Sequence, residues 1–308
     1  MNSRVSWWGC ARISPGCRNC YAADNARRWG HDVFHLGGER RMLSDAYWRK
    51  PLKWNREAQQ TGIPRRVFCA SMADVFEDHP QVTTARVRLW QFIEQTPWLR
   101  WQVLTKRPEN IATMAPWGDT WPDHVWIGTS VEDQQRADER IPLLLQVNAS
   151  VRFLSCEPLL GPVWISDYMW QACACCEGEG HDEACARCGD SHCESGHIRK
   201  LDWVIVGGES GRGARPMAPQ WATNLRDQCK QNRVPYFFKQ WGEWAPSGQI
   251  AIGGKRPGRA LVGEPVDGLG HRTEMVRLGK GKAGRLLDGQ SHDAVPPLVP
   301  TRATTCGA

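Results

Sequence analysis

Six short apolar runs recur along the chain, and segments with helical spacing separate them. Runs that are apolar at consecutive positions are typical of strands buried on both faces, as in a parallel sheet. A further strand is predicted near Val5–Trp8. The six runs are Val67–Ala70, Trp101–Leu104, Val125–Gly128, Val151–Leu154, Trp203–Val206 and Pro235–Phe238.

The intervening segments predict helices at Thr83–Glu94, Val131–Val147 and Pro219–Asn232. In the second of these, Glu132-Asp133 suits the negatively charged first turn of a helix. Alternating strands and helices predict an α/β protein, and six visible units favour a full or partial (β/α) barrel. A doubly wound open sheet is the alternative.

One interval between strands is about twice as long as its neighbours, because 52 residues separate Val151 from Trp203. It contains residues 171–199, which hold six cysteines and three histidines. We therefore interpret 171–199 as a metal-binding insertion in a barrel domain of residues 1–244. Residues 245–308 form a basic, Gly/Pro-rich C-terminal extension, which is either solvated or a nucleic-acid-facing arm.

The composition is that of a globular protein, with 41% hydrophobic and 23% charged residues among 308. The net charge of +6 permits a polyanionic partner without requiring one. No apolar run approaches the roughly 20 residues that cross a bilayer, and the N-terminus lacks the apolar core of a secretion signal. We therefore expect a cytoplasmic protein. The 17 tryptophans are dispersed along the chain, which favours packing roles over a stacking platform.

Polar side chains follow every predicted strand, where a barrel places its substrate site. By this position alone, Lys106, Glu157 and Asp74 are candidate catalytic groups, and Ser155 and Ser71 are candidate cofactor contacts. Each could instead be a helix cap or an ordinary loop residue.

Cys10, Cys17 and Cys20 form the pattern C-x6-C-x2-C in one short segment. Three thiolates suit a 4Fe–4S cluster better than a structural zinc ion, which takes four ligands. The fourth iron would then be open to the amino and carboxylate groups of S-adenosylmethionine. The alternative is a zinc site completed by a distant His or Cys.

The insertion contains two C-x2-C pairs, which together complete a tetrahedral zinc site. An auxiliary iron–sulfur cluster is the alternative for this site. Cys175, Cys193, His192 and His197 are surplus ligands. The zinc ligands that we predict are Cys173, Cys176, Cys185 and Cys188.

The ordered motifs G-C-x6-C-x2-C-Y, S-M-A-D, L-T-K-R-P, G-T-S-V-E, S-C-E-P-L-L-G-P, G-G-E-S-G and F-F-K-Q-W-G resemble a family of bacteriophage and prophage three-cysteine-motif proteins. That family is itself similar to radical S-adenosylmethionine enzymes, whose first cysteine gap is usually three residues rather than six. The resemblance covers nearly the whole chain apart from 171–199 and the last few residues.

The resemblance implies a radical-S-adenosylmethionine-like barrel in which the cluster cleaves S-adenosylmethionine to a 5′-deoxyadenosyl radical. Gly207, Gly208 and Glu209 resemble the element that contacts the amino group of S-adenosylmethionine in those enzymes. Such an enzyme needs a reductant for its cluster. The excess of basic over acidic residues favours a nucleic acid or nucleotide as its substrate. The competing hypothesis is a non-catalytic, zinc-binding, nucleic-acid-associated protein.

Overall fold

The structure is a computed structural model of the 308-residue chain. It describes residues 7–172, 193–194, 197–249, 258–265 and 272–297. The predicted zinc ligands lie outside the described residues, as do Cys175 and His192.

The strands fall into one large sheet and three small ones. In chain order they are β1 (Trp7–Trp8), β2 (Arg41–Met42), β3 (Arg65–Cys69), β4 (Leu99–Thr105), β5 (Val125–Ser130), β6 (Val151–Cys156), β7 (Trp170–Ala172), β8 (Cys193–Glu194), β9 (His197–Arg199), β10 (Trp203–Gly207), β11 (Tyr236–Gln240), β12 (Trp244–Pro246), β13 (Arg259–Val262) and β14 (Thr273–Arg277).

The helices lie mainly between the strands of the large sheet. They are α1 (Tyr21–Arg28), α2 (Asp45–Trp48), α3 (Lys50–Thr61), α4 (Pro80–Glu94), α5 (Ile111–Met114), α6 (Gln134–Leu145), α7 (Pro219–Gln231) and α8 (Lys280–Ala283).

The large sheet has the order β11-β10-β6-β5-β4-β3, and every neighbouring pair is parallel. The spatial order therefore follows the order along the chain, without the reversal that defines a doubly wound sheet. The edge strands β3 and β11 do not pair with each other. The architecture is an open half-barrel, and the coarse prediction of a partial (β/α) barrel is confirmed.

All six apolar runs form strands of this sheet, but the N-terminal strand does not. The β1 strand pairs with β2 as a separate antiparallel ribbon. The next residue, Gly9, makes only an isolated parallel bridge to Ala73, beyond the end of β3. A strand therefore does occur at Trp7–Trp8, within the segment predicted near Val5–Trp8, but it belongs to this ribbon and not to the large sheet.

Both faces of the sheet are packed, as expected for strands without alternation. One face carries Val103, Ile127, Leu154 and Val206 into the main core with the helices. The other face forms a separate apolar cluster of Trp126, Val151, Phe153, Trp203 and Ile205.

Helices α6 and α7 occur within the segments in which helical spacing predicted them, and α4 covers its predicted segment but begins three residues earlier, at Pro80. The start of α6 differs in detail. Asp133 caps this helix, since its carboxylate accepts a 2.9 Å hydrogen bond from the Arg136 amide. Glu132 precedes the cap and is fully buried, so it does not serve as a solvent-facing charge in the first turn.

The described part of the C-terminal region packs on the core. Strands β12, β14 and β13 form an antiparallel sheet whose Met275 and Val276 are buried, as is Leu287. The His292 carbonyl also accepts a 2.9 Å hydrogen bond from the Phe238 amide at the edge strand β11. A solvated extension is therefore not what the described residues form.

In the chain segment that connects β6 to β10, strands β7, β9 and β8 form a small antiparallel sheet. The Lys200 amide donates to the Met169 carbonyl at 2.8 Å, so the chain enters and leaves this part at neighbouring points. Within the described residues, no helix is long and apolar enough to cross a membrane.

Candidate functional site

The polar residues that follow the six strands meet at one edge, because parallel strands all end on the same side of the sheet. Asp74 follows β3, Lys106 follows β4, Glu132 follows β5, Glu157 follows β6 and Glu209 follows β10. Except for Lys106 and Glu157, which are partly exposed, these side chains are buried. The edge is thus rich in carboxylates.

Residues 9–20, which we call the cysteine loop, lie across this edge. The Ala11 amide donates to the Glu77 carboxylate at 2.6 Å. Ser14 Oγ donates to Glu132 at 2.7 Å, and Asn19 Nδ2 donates to Glu209 at 3.0 Å. Buried carboxylates after three different strands therefore hold the loop at three points.

Two glycines of the loop allow this close approach. Gly9 has φ +110°, a conformation that side chains rarely adopt, and its amide donates to the Met72 carbonyl at 2.8 Å. A Cβ atom at Gly16 would lie 2.5 Å from Glu132 Oε1. A side chain at position 16 would therefore push the loop away from the carboxylate that anchors Ser14.

The three cysteines are free thiols in a largely desolvated region. Burial raises the pKa of Cys10, with further contributions from Asp74 and Cys20, whereas Arg107 opposes the shift. Burial also raises the pKa of Cys20, although hydrogen bonds from the backbone amides at the start of α1 lower it in part. The nearby charge of Cys17 raises the pKa of Cys20 further, while Lys106 lowers it.

Asp74 is buried, and four donors satisfy its carboxylate. Oδ1 accepts from the Phe76 amide at 3.0 Å and from Thr105 Oγ1 at 2.6 Å. Oδ2 accepts from the Lys106 amide at 2.9 Å and from Arg107 Nη1 at 3.0 Å. An aspartate bonded in this way fixes the loop after β4 and orients Arg107.

Arg107 in turn holds the cysteine loop, since its Nη2 donates to the Ala11 carbonyl at 2.9 Å. A second arginine binds Glu77, the carboxylate that accepts from the Ala11 amide: Arg40 Nε donates to Glu77 Oε2 at 2.8 Å. Arg40 and Glu77 are both buried and paired, which offsets part of the cost of removing each charge from water.

Lys106 and Glu132 form an ion pair beneath the cysteine loop, with 3.1 Å between Nζ and Oε1. Arg140 Nη1 lies 2.9 Å from Oε2 of the same carboxylate. Burial disfavours the charge of Lys106, but Glu132 and Cys17 more than offset this and raise its pKa. Burial likewise opposes ionisation of Glu132, and the two cations and Ser14 lower its pKa overall.

Glu157 is partly exposed, with 19% of its side chain accessible. Lys239 Nζ lies 2.6 Å from its Oε2, and Gln240 Nε2 donates to Oε1 at 2.9 Å. A Cβ atom at Gly207, at the end of β10, would lie 3.1 Å from Oε1 of the same carboxylate, closer than ordinary van der Waals contact. The structure therefore brings Glu157 and Gly207 together.

Glu209 accepts hydrogen bonds from two residues. Arg215 donates from its amide at 2.8 Å and from Nε at 2.9 Å to Oε2, and from Nη2 at 2.6 Å to Oε1. Asn19 supplies the fourth bond. A Cβ atom at Gly208 would overlap the Trp241 carbonyl, so only glycine permits this turn.

The two predicted serines occupy different environments at this edge. Ser155 is buried in β6, in register with Ser130 of β5 and Ile205 of β10. Ser71 is half-buried, and its carbonyl accepts a 2.9 Å hydrogen bond from the Tyr21 hydroxyl. Tyr21 follows the third cysteine directly, so this bond ties the end of the loop to the residues after β3.

Sequence reasoning missed the residues that anchor the loop. Arg107 directly follows the predicted residue Lys106, Glu132 follows β5, and their position after a strand was the available signal. Glu77, Arg140 and Arg215 lie further from the strand ends, and their roles follow only from contacts across the fold.

The cysteine loop fits an iron–sulfur cluster in the chemistry of its donors. Three free thiols lie close enough to influence one another, and the cations of Lys106 and Arg107 favour their thiolate forms. Among the described residues, however, no three His, Cys, Asp or Glu side chains are already arranged as metal ligands.

Residues 3–296 match the model of a family of proteins of unknown function, DUF5131. The match spans most of the chain, which therefore belongs to this family. No curated protein and no solved structure matches the chain.

Proposed function

We propose that this protein is an iron–sulfur enzyme of the radical S-adenosylmethionine type. Cys10, Cys17 and Cys20 would hold a 4Fe–4S cluster at the carboxyl-terminal edge of the half-barrel. When bound, such a cluster with one open iron supplies the reductive cleavage of S-adenosylmethionine to a 5′-deoxyadenosyl radical.

The observation that carries the proposal is the position of the cysteine loop. Its contacts to Glu77, Glu132 and Glu209 place three thiols over the edge at which parallel α/β sheets bind their ligands.

The surrounding residues serve this role by charge and by position. Arg107 opposes the rise in the pKa of Cys10, and Lys106 does the same for Cys20, so both cations favour the metal-binding thiolates. Lys106 and Arg107 are themselves held by Glu132 and Asp74. The carboxylates thereby keep two positive charges close to the loop.

The remaining groups at this edge are suited to orienting cofactor and substrate. Glu157 is partly exposed and shares its carboxylate with Lys239 and Gln240, which leaves a polar surface for hydrogen bonding. Gly207 and Gly208 bring backbone close to this surface without side-chain bulk. We infer a nucleic acid or nucleotide as substrate, and the chemistry also requires an external reductant.

The test is the metal content of the anaerobically purified full-length protein. Wild type should be brown and contain iron and acid-labile sulfide, whereas the triple variant Cys10→Ala/Cys17→Ala/Cys20→Ala should contain neither. The control is Cys229→Ala, which removes a buried thiol in α7 and should leave the iron content unchanged.

Two outcomes would overturn the proposal. Equal iron in wild type and in the triple variant would remove the cluster from this loop. A colourless wild type that loses zinc on triple substitution would favour the competing function, a zinc-binding protein associated with nucleic acid without catalysing a reaction.

A further inference from the structure

A surface cavity of about 420 Å³ lies beside the cysteine loop and has aromatic walls. The rings of Trp8 and Trp29 lie with their centroids 5.0 Å apart, at 34° to each other. Trp29 is 49% exposed. We call this cavity the aromatic pocket; its lining residues are Trp8, Trp29, Arg41, Met42, Leu43, Ser44 and Tyr47.

The aromatic pocket adjoins the cysteines through Trp8. This side chain packs with Cys10 and Cys20 against the small apolar cluster built on α1. One wall of the pocket therefore packs against the same apolar cluster as two of the three thiols, and Trp8 directly precedes the cysteine loop in the chain.

Cations already lie over the aromatic faces of the pocket. The Arg41 guanidinium is 4.5 Å from the centroid of the Trp8 ring, and Lys50 Nζ is 3.6 Å from that of Tyr47. Aromatic faces with adjoining cations are the combination with which proteins hold the bases and phosphates of single strands.

Charge around the pocket is strongly one-sided. Residues 27–56 contain eight Lys and Arg but three Asp and Glu, a net +5 in a chain whose total is +6. Arg40 is buried against Glu77 and is not available to a ligand. The exposed cations are Arg27, Arg28, Arg49, Lys50, Lys53 and Arg56, of which Arg27 pairs with Asp24 and Lys53 with Glu57 on the surface.

We propose that the aromatic pocket binds an unpaired base of a single-stranded nucleic acid, with the cations of residues 27–56 on the neighbouring phosphates. The exposed cations lie on two separate helices, α1 and α3, and in the turn before α3, which is more positive surface than one nucleotide can cover. The proposal deepens the proposed function by naming its substrate class, and it rests on that function only for the reaction that follows binding.

The experiment is fluorescence anisotropy with labelled twelve-nucleotide oligothymidylate and oligouridylate, using the full-length protein at low salt. Trp29→Ala should weaken binding about tenfold, the loss of one base–aromatic stack. Trp29→Phe should recover most of the affinity. The control Trp164→Ala removes another exposed tryptophan, whose backbone contacts Gln134 at α6, and should bind as wild type does.

Iron content measured on the same samples separates this proposal from the proposed function. Oligonucleotide binding that depends on Trp29 supports the pocket even if the protein contains no iron. Equal affinity of wild type and Trp29→Ala would overturn the proposal. Displacement of the oligonucleotide by thymidine monophosphate or by S-adenosylmethionine at similar concentrations would also overturn it, because the pocket would then belong to a small ligand.

Discussion

Replacing Glu132 with Gln is the sharpest test of how the cysteine loop is held. The side chain is fully buried and contacts Lys106 at 3.1 Å, Arg140 at 2.9 Å and Ser14 at 2.7 Å. Glutamine keeps the shape and can still accept from Ser14. It removes the carboxylate charge that pairs with both Lys106 and Arg140, so two cations lose their shared partner.

Removing one member of a buried ion pair costs roughly 3–5 kcal/mol, because the remaining charge stays desolvated. We therefore expect Glu132→Gln to lower the free energy of unfolding by about 3 kcal/mol, a large share of the 5–15 kcal/mol of an ordinary protein. The loop should loosen as well, since Ser14 would bond a neutral amide whose orientation is no longer fixed by two cations.

Urea unfolding at neutral pH measures this loss, with Glu139→Gln as the matched control. Glu139 lies on α6 and pairs with Arg136 at 3.5 Å on the surface, where an ion pair contributes at most about 1 kcal/mol. A loss in Glu132→Gln no larger than in Glu139→Gln would refute the reasoning, because the buried pair would then contribute as little as a surface pair.

The dependence on pH gives an independent check on the same residue. The pKa of Glu132 is lowered in the fold, so its stabilisation is present above its unfolded pKa and is lost as the pH falls through the folded pKa. The difference in stability between wild type and Glu132→Gln should therefore be full at neutral pH and shrink below about pH 4. A difference that stays constant into acid would assign the loss to packing rather than to charge.

Two further predictions concern the parts attached to the half-barrel. Leu287→Ala should lower the free energy of unfolding in urea by roughly 2–5 kcal/mol, because Leu287 is fully buried. Leu286→Ala, at a half-exposed position, should lower it by less than about 0.5 kcal/mol. Equal losses in the two variants would contradict the packing of the C-terminal region. Replacing 171–199 by a short Gly/Ser linker should leave a folded protein, since the Lys200 amide already donates to the Met169 carbonyl across the junction. The shortened protein should have lost bound zinc. Failure to fold, judged by circular dichroism, would make the segment part of the core.

The sequence predicted the half-barrel well because its strands are buried on both faces. Such strands read as continuous apolar runs, and parallel order follows from the helices between them. The polar residues after each run could then be assigned to one edge, which holds for Asp74, Lys106, Glu157 and Glu209.

The anchoring contacts could not be predicted in the same way. An acidic residue before a helix looks alike in sequence whether it faces water or is buried, so Glu132 was interpreted as a first-turn charge. Trp8 and Trp29 are 21 residues apart in the chain, yet their ring centroids lie 5.0 Å apart. This contact agrees with the packing roles expected of the tryptophans, but the sequence alone does not indicate which of the dispersed rings meet.

Strands β13 and β14 show a third limit. They are four and five residues long and lie in a Gly/Pro-rich segment, so their alternation is too short to register as a period. Met275 and Val276 are nevertheless fully buried. The composition of the C-terminal region predicted an extension, but a few buried side chains pack the region against the core.

The role of Glu209 remains a prediction that the structure makes more specific. The resemblance to radical enzymes implies this carboxylate as a candidate acceptor for the amino group of S-adenosylmethionine. Three of its four hydrogen bonds fall on Oε2, so an ammonium group would have to bind at Oε1 beside Arg215 Nη2. Loss of such a charge-assisted bond, roughly 1.5–3 kcal/mol, should make Glu209→Gln bind S-adenosylmethionine about tenfold or more weakly in calorimetric titration.

Arg215→Ala distinguishes direct contact from support of the cysteine loop. Arg215 Nη2 also donates to the Pro15 carbonyl at 3.0 Å, so Glu209 acts on the loop through this arginine. If Glu209 contacts the cofactor, Arg215→Ala leaves the carboxylate in place with an acceptor released, and at equal iron content it should bind S-adenosylmethionine at least as well as wild type. Equal losses in the two variants would instead assign Glu209 to positioning, because both would then break the same link between the carboxylate and the loop.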